Sequence, residues 1–428
     1  MGNYTEFFIE RAENMSPEDD DYEQRLLDIA SNFRGFDEAC TDFIINHGYE
    51  GDVADVSAKA KFLRKKYKEN GVRMPHDFRE WFEPGRFPER KTVLLVGFAF
   101  NLTVEEMNDF LRCVQFDRGL DCHTIRETVY YFCLQKGLGY TQAEEIISKI
   151  PKPKKDNVPK EGDILYTNKI VEQVDRFDNS DELIAYVTEN LHNFSYNNAA
   201  AINNIRTIWK TISKEGGLAE KEGSLLERSA QLFYDLKTTG YKNKRQDEYE
   251  AERVKQIKQL RLEEHVHVAD DRSVWNIFSQ IIGIDVSTQR RFSRQNDRSI
   301  KSVLTENALL PLKASYCFPS QSNITKLIRG ESKDNEMIRK MLIFLKFYAY
   351  WAEVETEEND LDFIATFSDS ERCMDEINNY LLSSGYPQLY ACNPYDWIFM
   401  HSLNDMHPLA TFRYYMGEIF TVKSGEDE

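Results

Sequence analysis

The sequence predicts an all-α, multi-domain protein built on a duplicated helical unit. Three observations predict it. Nearly every segment carries apolar residues at the three- and four-residue spacing of an amphipathic helix. The alternating apolar and polar residues of half-buried strands, joined by Asn-Gly turns, are absent. And the stretch VEEMNDFL at residues 104–111 returns as MDEINNYL at residues 374–381, with Glu106, Asn108 and Leu111 recurring as Glu376, Asn378 and Leu381.

In chain order, SPEDDDYEQRLLDIASNF opens with Ser16 as a helix N-cap, Pro17 at the first helical position and acids in the first turn. KAKFLRKKYK follows, with Lys59, Lys61, Arg64, Lys65, Lys66 and Lys68. Such a cluster is either a solvated helix face paired with local acids or a contact for nucleic acid or an acidic partner. Residues 93–100 form an apolar helix, with Leu94 and Phe98 in the core. PKPKKDNVPKEGD at residues 151–163 has three prolines, four lysines and no apolar cluster, the composition of a linker. DNSDELIAYVTENL offers Asn179 or Ser180 as a cap, then Leu183, Ile184, Val187 and Leu191 at helical spacing. Residues 237–271 are dominated by charge and read as a connector. Residues 341–351 are apolar apart from Lys346, which places Leu342 and Leu345 in a core. Three blocks result: 1–150, 164–236 and 272–428.

Composition bounds the function. The chain has 428 residues, enough for two or three cores, and a formal charge of −18. It therefore repels phosphate backbones and anionic membranes on average, so a nucleic-acid contact needs a local basic patch. The N-terminus lacks the cationic start and apolar stretch of a secretory signal. Glu6 stands where a myristoylation motif beginning at Gly2 needs Ser or Thr. The apolar runs fall short of the ~20 residues that span a bilayer. Seven irregularly spaced cysteines suit reduced thiols in the cytoplasm.

The repeat extends without a gap. Residues 104–132 lie over 374–402, with Phe116 over Tyr386, Leu120 over Tyr390 and Cys122 over Cys392. Upstream, each copy has a short helix, a glycine (Gly85, Gly330), a basic pair (Arg90 and Lys91, Arg339 and Lys340) and an apolar helix. In this context SQSNITKLIRGE and FREWFEPGRFP each resemble the recognition helix and following turn of lambda-repressor-like helix-turn-helix domains. Both copies are degenerate ahead of that helix. The first is mostly charged there, and the second is interrupted by Pro311 and Pro319. The resemblance places DNA-reading positions at His76, Asp77, Arg79 and Glu80, and at Gln321, Ser322, Asn323 and Thr325. The first set holds two acids and suits a phosphate-facing surface poorly. The second is neutral and hydrogen-bonding, with Lys326 and Arg329 beside it. QRRFSRQNDRSIK supplies Arg290, Arg291, Arg294, Arg298 and Lys301 in the same block.

Chemistry is sparse. Cys113, Cys122, His123 and Cys133 lack compact zinc spacing, and His265 and His267 beside Asp270 and Asp271 read as a surface loop, so no metal or cofactor is expected. No phosphate loop, His-Glu-x-x-His or Gly-x-Ser-x-Gly occurs. RGLDCH resembles the Arg-x4-His pattern of helical HEPN ribonucleases, which would make Arg118 and His123 the catalytic pair. The leading expectation is a non-enzymatic cytoplasmic regulatory or adaptor protein that binds DNA or a protein partner. The nuclease is the alternative.

Overall fold

A computed structural model describes residues 15–31, 33, 35–84, 88–115, 119–120, 122, 124–151, 167–194, 199–238, 268–269, 271–283, 321–329, 331, 335–358, 363–384 and 386–420. Among these residues the regular structure is helical throughout, with no strand, and no helix is long and apolar enough to cross a membrane. The chain divides into two compact units, Met1–Ala12 with Ile29–Ala199, and Glu13–Asp28 with Ala200–Glu428. Residues 164–236 are thus shared between the units.

Helix α1 (Tyr22–Ser31) begins later than Ser16 implies. Ser16 makes a local turn instead. Its N–H donates to Asp19 Oδ2 at 3.0 Å, and its hydroxyl accepts from Glu18 N at 3.2 Å.

The first unit holds α2 (Phe36–Asn46), α3 (Val56–Glu69), a 3-10 turn (Glu80–Phe82), α4 (Arg90–Val93), α5 (Leu95–Phe100) and α6 (Val104–Cys113). It ends with α7 (Ile125–Gln135), α8 (Tyr140–Lys149), α9 (Thr167–Val174), α10 (Ser180–Glu189) and α11 (Leu191–Phe194). Local sequence explains the starts. Thr103 and Glu106 close a reciprocal capping box on α6, and Asn179 caps α10 through Asp181 N and Glu182 N. Asn101 ends α5 in the left-handed region at φ 53°, which Asn tolerates better than most residues. Aromatic rings fill the core edge to face, Phe43 against Phe110 at 4.5 Å and Phe98 against Tyr130 at 4.9 Å. Leu94 and Phe98 are buried there.

The second unit adds α12 (Ala199–Ser213), α13 (Leu218–Thr238), α14 (Val274–Ile282), α15 (Gln321–Arg329), α16 (Asn335–Glu358), α17 (Phe367–Ser383), α18 (Pro394–Ser402) and α19 (Pro408–Phe420). Helix α16 is its centre, and every residue from 338 to 352 is buried except Arg339 and Lys346. Lys346 keeps its stem in the core and carries its ammonium to Glu376 at 2.5 Å, over the Tyr380 ring. Helix α1 serves this unit: Tyr22 donates to Met400 O at 3.0 Å, and Trp397 Nε1 donates to Leu26 O at 2.8 Å. Deep inside, Glu222 accepts from Tyr348 Oη at 2.7 Å, from Gln280 Nε2 at 2.8 Å and from the Arg413 guanidinium. All four residues are buried.

One peptide in each unit is gripped in the same way. In the first, Gly119 O accepts from Arg90 Nη2 at 2.8 Å while Leu120 N donates to Asn108 Oδ1 at 2.7 Å. In the second, Gln388 O accepts from Arg339 Nη2 at 3.0 Å while Leu389 N donates to Asn378 Oδ1 at 2.9 Å. Each arginine also binds an acid at the third position of the next helix, Glu127 of α7 or Asp396 of α18.

Candidate nucleic-acid interface

Helix α15 is amphipathic in a short span. Ile324 and Leu327 are fully buried, Thr325 and Ile328 are half-buried, and Lys326 and Arg329 face solvent. Its apolar side packs on α14. Its C-terminal end is closed twice. Glu331 N donates to Lys326 O at 2.8 Å, the six-to-one bond of a Schellman ending. Arg206, from α12, donates through Nε to Ile328 O at 3.2 Å and through Nη2 to Arg329 O. A guanidinium at that end satisfies carbonyls without helical partners and complements the negative end of the helix dipole.

Three of the sequence-derived positions, Thr325, Lys326 and Arg329, therefore stand on one anchored helix. For Gln321, Ser322 and Asn323 the helical backbone is described, and Arg290, Arg291 and Arg294 lie outside the described residues. Arg206 was missed by sequence reasoning because it lies 122 residues from Ile328. The arginine in RTIWK carries no local signal that it will cap a distant helix.

Several arginines elsewhere in the protein are paired with carboxylates. Arg64 binds Asp77, Arg126 binds Glu144, Arg339 binds Asp396 and Arg413 binds Glu222. Lys326, Arg329 and Arg206 are exposed and have no carboxylate partner among the described residues. Lys326 and Arg329 are solvated cations at one helix end, while Arg206 spends two of its nitrogens on the α15 carbonyls.

The corresponding segment of the first unit is different. Residues 76–79 are irregular and lead into the 3-10 turn, where Trp81 and Phe82 are buried and Trp81 meets Phe36 edge to face at 5.6 Å. Asp77 accepts from Arg79 N at 2.9 Å and pairs with Arg64, while Arg79 donates to Ser57 Oγ at 2.6 Å. The expected recognition helix carrying His76, Asp77, Arg79 and Glu80 does not form, because its aromatic residues are drawn into the core and its polar ones tie down the loop. The α3 cations are largely used locally as well. Lys59 is buried, donating to Thr41 Oγ1 at 3.0 Å with its ammonium over the Phe82 ring, and Lys65 pairs with Glu69.

Arg118, His123, His265 and His267 lie outside the described residues. Cys122 and Cys133 are buried, and no group of three metal-ligating side chains occurs among the described residues. A cleft of about 320 Å³ opens between α13, α14 and residues 268–272. Its rim cation Arg272 is held by Glu215 and Glu220, and its inner wall includes Gln280, already bonded to Ala219 O, Glu222 and Ala269 N. Behind it, burial and the neighbouring Glu222 push the Glu355 carboxyl up to about 8. No protein-family model, curated protein or solved structure matches the chain.

Proposed function

We propose that this is a non-catalytic regulatory protein of the cytoplasm that binds duplex DNA through its second unit, with α15 at the contact. The observation that carries the reading is α15 itself, a helix fixed to the fold by Ile324, Leu327 and the Arg206 cap, with Lys326 and Arg329 exposed and unpaired by carboxylates among the described residues. A rigid helix presenting cations to solvent suits phosphate contact, and a neutral hydrogen-bonding N-terminal half of sequence Gln321, Ser322, Asn323 suits base edges. The cytoplasmic setting is supported by the six described cysteines, all free thiols. The matched peptide grips built on Asn108 and Asn378 support descent of the two units from one duplicated helical element, of which the second kept an exposed helix.

The test is binding of duplex DNA by the full chain, followed by fluorescence anisotropy across a salt series. The expected result is a linear fall of log affinity with log salt, with Lys326→Ala lowering the slope by about one unit. Absence of binding at low salt, or a slope untouched in Lys326→Ala, would replace DNA with a protein partner.

A further inference from the structure

Helix α12 does more than cap α15. Its buried stripe is Ile202, Ile205, Ile208, Trp209 and Ile212. Its exposed positions are Asn203, Arg206, Thr207, Lys210 and Thr211, which fall at the three- and four-residue spacing of a single face. That face holds two cations and three neutral hydrogen-bonding side chains and no acid. Across α12 and α15 together, 15 and 9 residues long, there is no Asp or Glu, in a chain where Asp and Glu number 72 against 54 Lys and Arg.

Position joins the two helices into one surface. Arg206 lies on the exposed face of α12 while two of its nitrogens bond the last carbonyls of α15, and Nη1 has no partner among the described residues. Lys210 follows one helical turn along, about 6 Å further on. It too is exposed without a carboxylate partner among the described residues. The nearest acid in sequence to α15 is Glu331, on the far side of its Schellman ending.

We infer that α12 is the phosphate-backbone half of the DNA-binding surface, with Arg206 and Lys210 holding one strand and Asn203, Thr207 and Thr211 adding neutral hydrogen bonds. The inference rests on the DNA reading of α15 and extends it to a second helix. A charged ridge of this composition is sequence-independent, because phosphate contacts fix register without reading bases. Single-point neutralisation should therefore weaken all duplexes alike.

Lys210 is the residue to change, since Arg206 also holds α15 in place. The full chain is titrated with two duplexes of unrelated sequence across a salt series, as wild type, Lys210→Ala, Lys210→Glu and Lys221→Ala, the last being an exposed cation on α13. Circular dichroism checks that each variant folds. Lys210→Ala is expected to weaken both duplexes by the same factor and to lower the salt slope by about one unit. Lys210→Glu should weaken binding further, and Lys221→Ala should match wild type. Wild-type binding that is indifferent to both Lys210 variants overturns the α12 assignment and leaves the α15 reading standing. No wild-type binding at low salt overturns both. Displacement of DNA by polyglutamate of equal charge would also overturn it, by making an acidic polypeptide the fitting partner.

Discussion

Asn108 and Asn378 each hold a loop peptide by the same kind of hydrogen bond. Each side-chain oxygen accepts one loop N–H, that of Leu120 at 2.7 Å or Leu389 at 2.9 Å, while an arginine takes the carbonyl of the same peptide bond. The amide is thereby satisfied on both sides by side chains rather than by backbone partners. Replacing Asn378 by Ala leaves a half-buried N–H without its acceptor and should cost about 1–3 kcal/mol in urea unfolding. Asn378→Asp, which can still accept, should recover much of that. A loss under about 0.5 kcal/mol in the Ala variant would show that water replaces the oxygen.

Arg339 is the second half of that grip. Asp396 is 1% exposed and receives two guanidinium nitrogens, at 2.8 and 2.7 Å. Removing Arg339 strands a buried carboxylate, so Arg339→Ala is expected to destabilise the second unit by about 3–5 kcal/mol. The double variant with Asp396→Asn should be less damaging than the sum of the single changes, because the stranded charge goes with it. Strict additivity in the double-mutant cycle would refute the coupling.

Glu355 gives the second unit a pH dependence of definite sign. Burial first, and the Glu222 carboxylate second, raise its carboxyl from the ordinary glutamate value of 4.5 to about 8, while Arg413 acts in the opposite direction. A carboxyl that holds its proton more tightly when folded makes stability fall as pH rises between those two values, since the unfolded chain ionises first. Above about pH 8 this contribution levels off. Glu355→Gln, neutral at every pH, should flatten the slope and raise the midpoint of unfolding at pH 8. Parallel pH profiles for the two proteins would count against this account.

Leu345 probes the core of α16. It is fully buried, in a helix whose run from 338 to 352 is interrupted at the surface only by Arg339 and Lys346. Leu345→Ala removes packed methyl groups and leaves a cavity, at an expected cost of about 2–5 kcal/mol. Chemical denaturation reads it directly, and a change below about 1 kcal/mol would place the helix at the periphery.

Helix class was legible because it rests on patterns that side chains carry. Asn179 caps α10 as its sequence implies, Leu183 and Val187 are buried at their helical spacing, and the apolar run of α16 is core. The peptide grip was not legible. Its bonds end on backbone atoms of Gly119, Leu120, Gln388 and Leu389, and a backbone atom leaves no residue-type signature. The ungapped register put Leu120 over Tyr390 and Cys122 over Cys392. The hydrogen bonds pair Leu120 with Leu389 and Glu127 with Asp396, one residue earlier in the second loop. In that register Cys122 meets Ala391, and both are fully buried, whereas Cys392 is half-buried. The α15 region was half legible. Lys326 and Arg329 could be read from one short segment, but Arg206 meets that helix only through a contact across the sequence.

The second unit borrows residues 13–28 from the start of the chain and completes itself only after residue 200. During synthesis the ribosome therefore releases Tyr22 and Leu26 long before their hydrogen-bond partners at Met400 and Trp397 exist. The first unit, continuous from Ile29 to Ala199, can fold while the nascent chain is still growing. Tyr22 and Leu26 cannot make these bonds until α18 has emerged. Loss of α1 or loss of α18 would remove the same hydrogen bonds from opposite sides, and a nascent chain halted before α18 would leave Tyr22 and Leu26 as a segment for chaperones and proteases to find.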